Sequence, residues 1–166
     1  MWPYSAARLR AMYTGGRGDA TARWFARLWS VVFAVGLQPQ RWVTLEVPGR
    51  RSGKVRRFPL GMADWHHQWY LVSMLGEHCD WVRNVRAARG EVVLRHRRRR
   101  RVRLVEVPVP ERAAILRRYL DAVPGARPHI PVDRHAALTE FDTIAAEYPV
   151  FRVDPETDTL HPTNKF

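Results

Sequence analysis

Gly49 and Gly53 bracket Arg50, Arg51 and Ser52, and Arg56 follows three residues later. Glycine opens backbone conformations closed to other residues and lets a ligand come close to the amides. Arginine offers a planar donor fork that matches phosphate or carboxylate. The turn is therefore a candidate anion cradle, although basic glycine turns also occur on surfaces where they hold nothing. Ser52 has no base near it in sequence, so its hydroxyl suits donation to an anion better than nucleophilic attack. Cys79 stands between His78 and Asp80, yet sequence neighbours are seldom placed as nucleophile and base. His66 and His67 are adjacent, point different ways and are expected in a solvated turn rather than on a metal. G-x-S-x-G, H-E-x-x-H, Walker and strand-linked G-x-G-x-x-G patterns are all absent, and each would have carried its own mechanism. Carboxylates are scarce in the middle of the chain, which leaves a paired-carboxylate mechanism without residues. An enzyme built this way leaves the reaction to a bound cofactor.

The elements that must position these residues follow from hydrophobic period. Val43, Leu45 and Val47 alternate with Trp42, Thr44 and Glu46, and a second alternating run starts at Val55, so the cradle is the turn of a β-hairpin. Strands are expected near 41–48, 54–63 and 68–75, with a turn over 64–68. A short helix over 80–88 takes Asp80 as cap and places Trp81, Asn84, Val85 and Ala88 on one face; the inward asparagine needs hydrogen-bond partners, backbone or ligand. A hairpin at 90–107 has arms 91–94 and 102–107, with Arg95 to Arg101 at its tip. A helix over 110–122, a loop over 123–131, a helix over 134–146 and a strand over 149–153 complete the pattern. Upstream, Trp24, Phe25, Leu28, Trp29, Val32 and Phe33 form an apolar stripe on a helix over 21–36. It packs on the core or, with its arginines, meets an anionic membrane surface or a partner subunit. The expectation is one α+β domain over 1–166, an antiparallel barrel with surrounding helices and a tail over 155–166.

The 166 residues suit a single core, and an apolar share of 46% is that of a folded protein. One cysteine excludes an internal disulfide framework and a multi-cysteine zinc site, and a cytoplasmic setting fits. The net charge of +12 points to an anionic partner, but lysine occurs only at Lys54 and Lys165, so much of the charge reflects an arginine bias of the genome. The run Leu28–Leu37 is shorter than the roughly 20 apolar residues a bilayer span needs. Arg95–Arg101 lacks the interleaved aromatics of a single-strand platform; nucleic acid is disfavoured, and an anionic membrane surface stays open.

G-R-R-S-G-x-x-R-x-x-P-L (Gly49 to Leu60, with Arg56 and Pro59) and the later L-G-x-x-x-x-W-x-x-N-V (Leu75, Gly76, Trp81, Asn84, Val85) resemble the deazaflavin-dependent nitroreductase and quinone reductase family, split β-barrel proteins of actinobacteria. The resemblance covers about residues 41–107. It implies coenzyme F420, with flavin mononucleotide as the variant, and hydride transfer to an electron-poor acceptor such as a quinone, an enone or a nitro compound. It implies that Arg50, Arg51, Ser52, Gly53, Arg56 and Pro59 hold the acidic tail, that Met74, Leu75 and Gly76 carry the ring, and that Trp81 and Asn84 close the pocket. Many relatives have a lysine and two glycines where this chain has Leu75, Gly76 and Glu77. Alternatives are a non-catalytic protein binding or sequestering F420, flavin or haem, a basic adaptor on membrane or nucleic acid, and a homodimer as the assembled form.

Overall fold

The computed structural model describes residues 41–156; the expected 21–36 helix and residues 157–166 lie outside the described residues. Strand β1 (Trp42–Pro48) turns Val43, Leu45 and Val47 inward, all at most 3% exposed. β2 (Val55–Trp65) pairs antiparallel with it from Trp42↔Gly61 to Pro48↔Val55. β3 (Gln68–Val72), α1 (Asp80–Ala87), β4 (Glu91–His96), β5 (Arg98–Glu106), α2 (Arg112–Ala122), α3 (Leu138–Ile144) and β6 (Val150–Pro155) follow. The strands close in the order β1-β2-β3-β6-β5-β4. This is the α+β antiparallel barrel expected.

β2 divides its partners along its length. Val55–Gly61 pairs with β1, while only Met62–Trp65 pairs with β3. The other edge of Val55–Gly61 therefore has no strand beside it among the described residues, and the barrel wall splits there. The antiparallel register gathers the 49–54 turn, the end of β3 and the starts of α1 and β4 at one end of the barrel. The turns at His66–His67 and Arg97 lie at the other end.

Two apolar clusters hold this arrangement. Inside the barrel, Leu45, Leu71, Leu104 and Phe151 meet Trp81, Val82 and Val85 of α1, so the short helix inserts its apolar face into the interior cluster. Outside, Ile115, Leu116, Tyr119 and Leu120 of α2 pack with Phe141 of α3 against Ala63, Val72 and Val150. Each fully buried Leu or Phe contributes about 1.5–3 kcal/mol.

The elements differ from expectation in four places. β3 ends at Val72 rather than 75, because Ser73–Gly76 turns away from the sheet with Gly76 at φ +83°. Helix α3 spans Leu138–Ile144 rather than 134–146. Asp80 does not cap α1: the capping position is Cys79, with no side-chain cap bond, and Asp80 is the first helical residue. The arginine run is not a loop tip either. Strand pairing continues through Arg95↔Arg99 to His96↔Arg98, so five of its six arginines are ladder residues and only Arg97, at φ +58°, makes the turn.

Candidate functional site

Residues 49–54 form a tight turn closed by Gly49 N–H to Lys54 O at 2.9 Å and Gly53 N–H to Gly49 O at 2.8 Å. Gly53 has φ +64°, a conformation that glycine adopts without strain. At Gly49 the need is for space: a Cβ there would stand 3.1 Å from Ser52 Oγ, 3.2 Å from Lys54 O and 3.4 Å from Arg56 Cγ. The side chains of Ser52 and Arg56 thus converge over the point where Gly49 has none. Register puts Arg56 opposite Val47, on the strand face that turns toward the barrel interior.

Arg51, Lys54 and Arg56 are all exposed, and none has an acid partner among the described residues. Three uncompensated positive charges within six residues repel one another and gain by taking up an anion. This donor set fits a phosphate or carboxylate tail.

Arg50 has a different task. Its Nη1 donates to Asp80 Oδ1 and Asn84 Oδ1, each at 3.0 Å, and its backbone N–H reaches Asn84 Oδ1 at 3.2 Å. Asn84 is 3% exposed, so its carbonyl oxygen finds its partners in the turn itself. The two stretches singled out in the sequence are therefore in direct contact, with α1 fastening the cradle to the barrel.

Trp81 is 3% exposed and packs against Phe151 with ring centroids 5.4 Å apart. Its indole is part of the barrel interior and presents no open face. Pro59, half-buried, lies opposite Thr44 in β2. Its missing N–H costs little in a strand that has one free edge.

Met74, Leu75 and Gly76 follow β3 at the same end as the turn and are all half-buried. Ser73 fastens them: its N–H donates to Pro149 O at 2.9 Å and its hydroxyl to Gly76 O at 2.7 Å, while Gly76 N–H returns to Ser73 O at 3.1 Å. Met74 leans on the outer cluster and Leu75 on the inner one, so the segment lies between the two.

The nearby titratable groups do not form an acid–base pair. Burial pushes the Cys79 thiol above its ordinary value, which makes it a poor nucleophile. Burial likewise raises the Tyr148 phenol, whose hydroxyl donates to His129 O at 3.2 Å. His66 and His67, at φ 47° and 63°, make a two-residue hairpin turn, tighter than the 64–68 turn expected because β2 runs to Trp65 and β3 starts at Gln68, and no group of three or more metal-ligating side chains occurs among the described residues.

Sequence reading missed Lys54, which completes the trio, although its place in the turn was legible. It also missed that Asp80 and Asn84 take Arg50, since nothing in residue type announces a contact across 34 positions.

Comparison with known proteins bears on the fold and the family. No curated protein matches the chain. Among solved structures, one described as a domain-swapped dimer is 19% identical, covering 81% of this chain and 100% of its own, with a TM-score of 0.50. A protein of unknown function from Agrobacterium tumefaciens is 12% identical over 79% of this chain and 55% of its own, TM-score 0.51. An F420-H2 dependent reductase is 21% identical over 69% of this chain and 95% of its own, TM-score 0.48. At these identities the likeness is one of fold. The profile of the F420H(2)-dependent quinone reductase family matches residues 19–136. The chain belongs to that family, and it is an F420H2-dependent oxidoreductase whose cofactor is coenzyme F420.

Proposed function

We propose that Arg51, Lys54 and Arg56, with the Ser52 hydroxyl, hold the acidic tail of coenzyme F420 on a turn whose shape Gly53 sets, and that Met74–Gly76 carries its ring. The observation that supports this most is the convergence of Ser52 and Arg56 over Gly49 beside three cations without acid partners. Arg50 and Asn84 serve by fixing the turn to α1, and Trp81 by giving α1 a buried anchor. The reduced deazaflavin, when bound, supplies a hydride to an electron-poor acceptor: a quinone, an enone or a nitro compound. The chain contributes positioning and exclusion of water. Burial makes Tyr148 and Cys79 weaker acids than usual, so solvent is the proton source, with exposed His78 as the other candidate.

Anaerobic oxidation of reduced F420, followed by absorbance with a soluble quinone, an enone and a nitroarene in turn, tests the assignment. Turnover with at least one acceptor is expected. Tight F420 binding with no acceptor-dependent oxidation would mean a carrier rather than an enzyme.

A second contact concerns the opposite end of the barrel. Arg98, Arg100 and Arg101 are exposed and without acid partners among the described residues, while Arg99 is engaged by Glu46 at 2.7 Å. These charges suit an anionic membrane surface, and no helix among the described residues is long and apolar enough to cross a membrane. Cosedimentation with phosphatidylglycerol vesicles, lost at high salt, is the expected result; binding to neutral vesicles alone would contradict it. The free edge of Val55–Gly61 is where a second copy would pair if the chain forms a homodimer.

A further inference from the structure

Between Gly76 and Cys79 the chain crosses from β3 to α1 with Gly76 in a left-handed conformation, φ +83°. Such a crossing holds one shape only if something outside it fixes it. Ser73 holds its near end through Gly76 O, and Glu77 is the attachment beyond it. Its carboxylate takes both terminal nitrogens of Arg86, Nη1 to Oε1 and Nη2 to Oε2, the latter at 3.3 Å. The same guanidinium donates Nε to Glu106 Oε2 at 2.9 Å and Nη2 to Glu106 Oε1 at 2.6 Å.

Glu106 is in turn held by Arg112, whose Nη2 stands 3.1 Å from Oε1. Arg112 is 5% exposed. Its remaining donors are occupied by backbone carbonyls: Nε on Val107 O at 2.8 Å, and Nη1 on Ala145 O at 3.1 Å and Tyr148 O at 3.5 Å. Arg112 is thus a fixed post buried between β5, α2 and α3. A chain of alternating charges, Arg112–Glu106–Arg86–Glu77, runs from that post to the crossing. Isolated surface pairs are worth little, but a guanidinium fork shared by two carboxylates restricts geometry strongly.

We propose that Glu77, Arg86 and Glu106 are positioning residues that hold Met74–Gly76 in the conformation on which the coenzyme's ring is carried, an inference that rests on the assignment of that segment made above. The side chains of Arg86 and Glu77 are 38% and 41% exposed, so their loss leaves the barrel folded and changes the crossing. The acidic tail is held elsewhere, on the 51–56 turn. Ring placement and tail affinity are therefore separable.

The test uses the full chain as Glu77→Gln, which removes the ionic arm, and Arg86→Lys, which keeps the charge but cannot bridge two carboxylates with a rigid fork. In the cofactor-free protein, hydrogen exchange across Met74–His78 should quicken about tenfold in both variants. Amides of β1 and of Val82 and Val85 should keep their rates. With reduced F420, kcat should fall about tenfold while KM for the coenzyme stays within twofold. Unchanged exchange at Met74–His78, equal acceleration throughout the barrel, or a loss confined to KM would overturn the proposal. If the parent chain failed to bind F420, the proposed site would fall, and the exchange measurement would still decide whether the ion chain fixes the crossing.

Discussion

Arg50 and Arg51 are adjacent and chemically identical, yet burial and partners give them opposite tasks. Arg50 is consumed by Asp80 and Asn84, whereas Arg51 projects into solvent with nothing to neutralise it. Asn84→Ala should consequently cost stability. It strips the acceptor from Arg50 in a buried position, a loss of about 1–3 kcal/mol that a denaturant titration would measure; a midpoint equal to that of the parent would show that the contact is dispensable. Three carboxylates set the acid limit. Hydrogen bonds from Arg86 and Arg152 hold Glu77 and Asp154 below their ordinary values. At Asp64 partial burial acts upward, but the hydrogen bond from Arg118, a backbone bond and the charges of Arg118 and Arg41 together outweigh it, and the net shift is down. A folded pKa below the unfolded one contributes stability above the unfolded value and loses it as pH falls through the folded one. Tm should therefore stay level down to the ordinary values of 3.8 to 4.5 and fall beneath them. A decline that began near neutral pH would point to other groups.

At the scale of elements, the short connection from α1 to β4 is the least forgiving. Gly90 has φ +79°, and a Cβ there would lie 2.3 Å from Leu104 O, where the Leu104 N–H already bonds Gly90 O at 2.8 Å. Gly90→Ala should destabilise by at least about 2 kcal/mol, readable as a lowered thermal midpoint with the barrel's circular dichroism retained below it. Tolerance of alanine would mean that the β4–β5 hairpin can shift off α1. Strand alternation made β1 and the β1–β2 turn legible in sequence, because Val43, Leu45 and Val47 face one way with no interruption. The arginine run was misread for a related reason: Arg98 to Arg101 carry no apolar alternation, and their strand is maintained by pairing with Glu91–His96 rather than by burial of their own side chains. Helix α3 was overextended because Arg134 to Ala137 read as helical, whereas Asp133 Oδ1 accepts the His135 N–H at 2.8 Å and holds a turn instead.

For the molecule as a whole, antiparallel closure brings the glycine turn, the end of β3 and α1 to one end of the barrel. That gathering turns two weak motifs about thirty residues apart into one candidate site. Residue type alone could name the cations and helical spacing could turn Trp81 inward; neither could reveal that Arg50 is spent internally on Asp80 and Asn84. The central claim is that the uncompensated charge on this turn holds the acidic coenzyme. Isothermal titration of F420 into the parent chain and into an Arg51→Ala/Arg56→Ala double variant tests it most directly. Each lost cation should weaken binding about tenfold, 1.4 kcal/mol apiece, so the double variant should bind about a hundredfold more weakly with an unchanged Tm. Equal affinity in the two proteins would contradict the account.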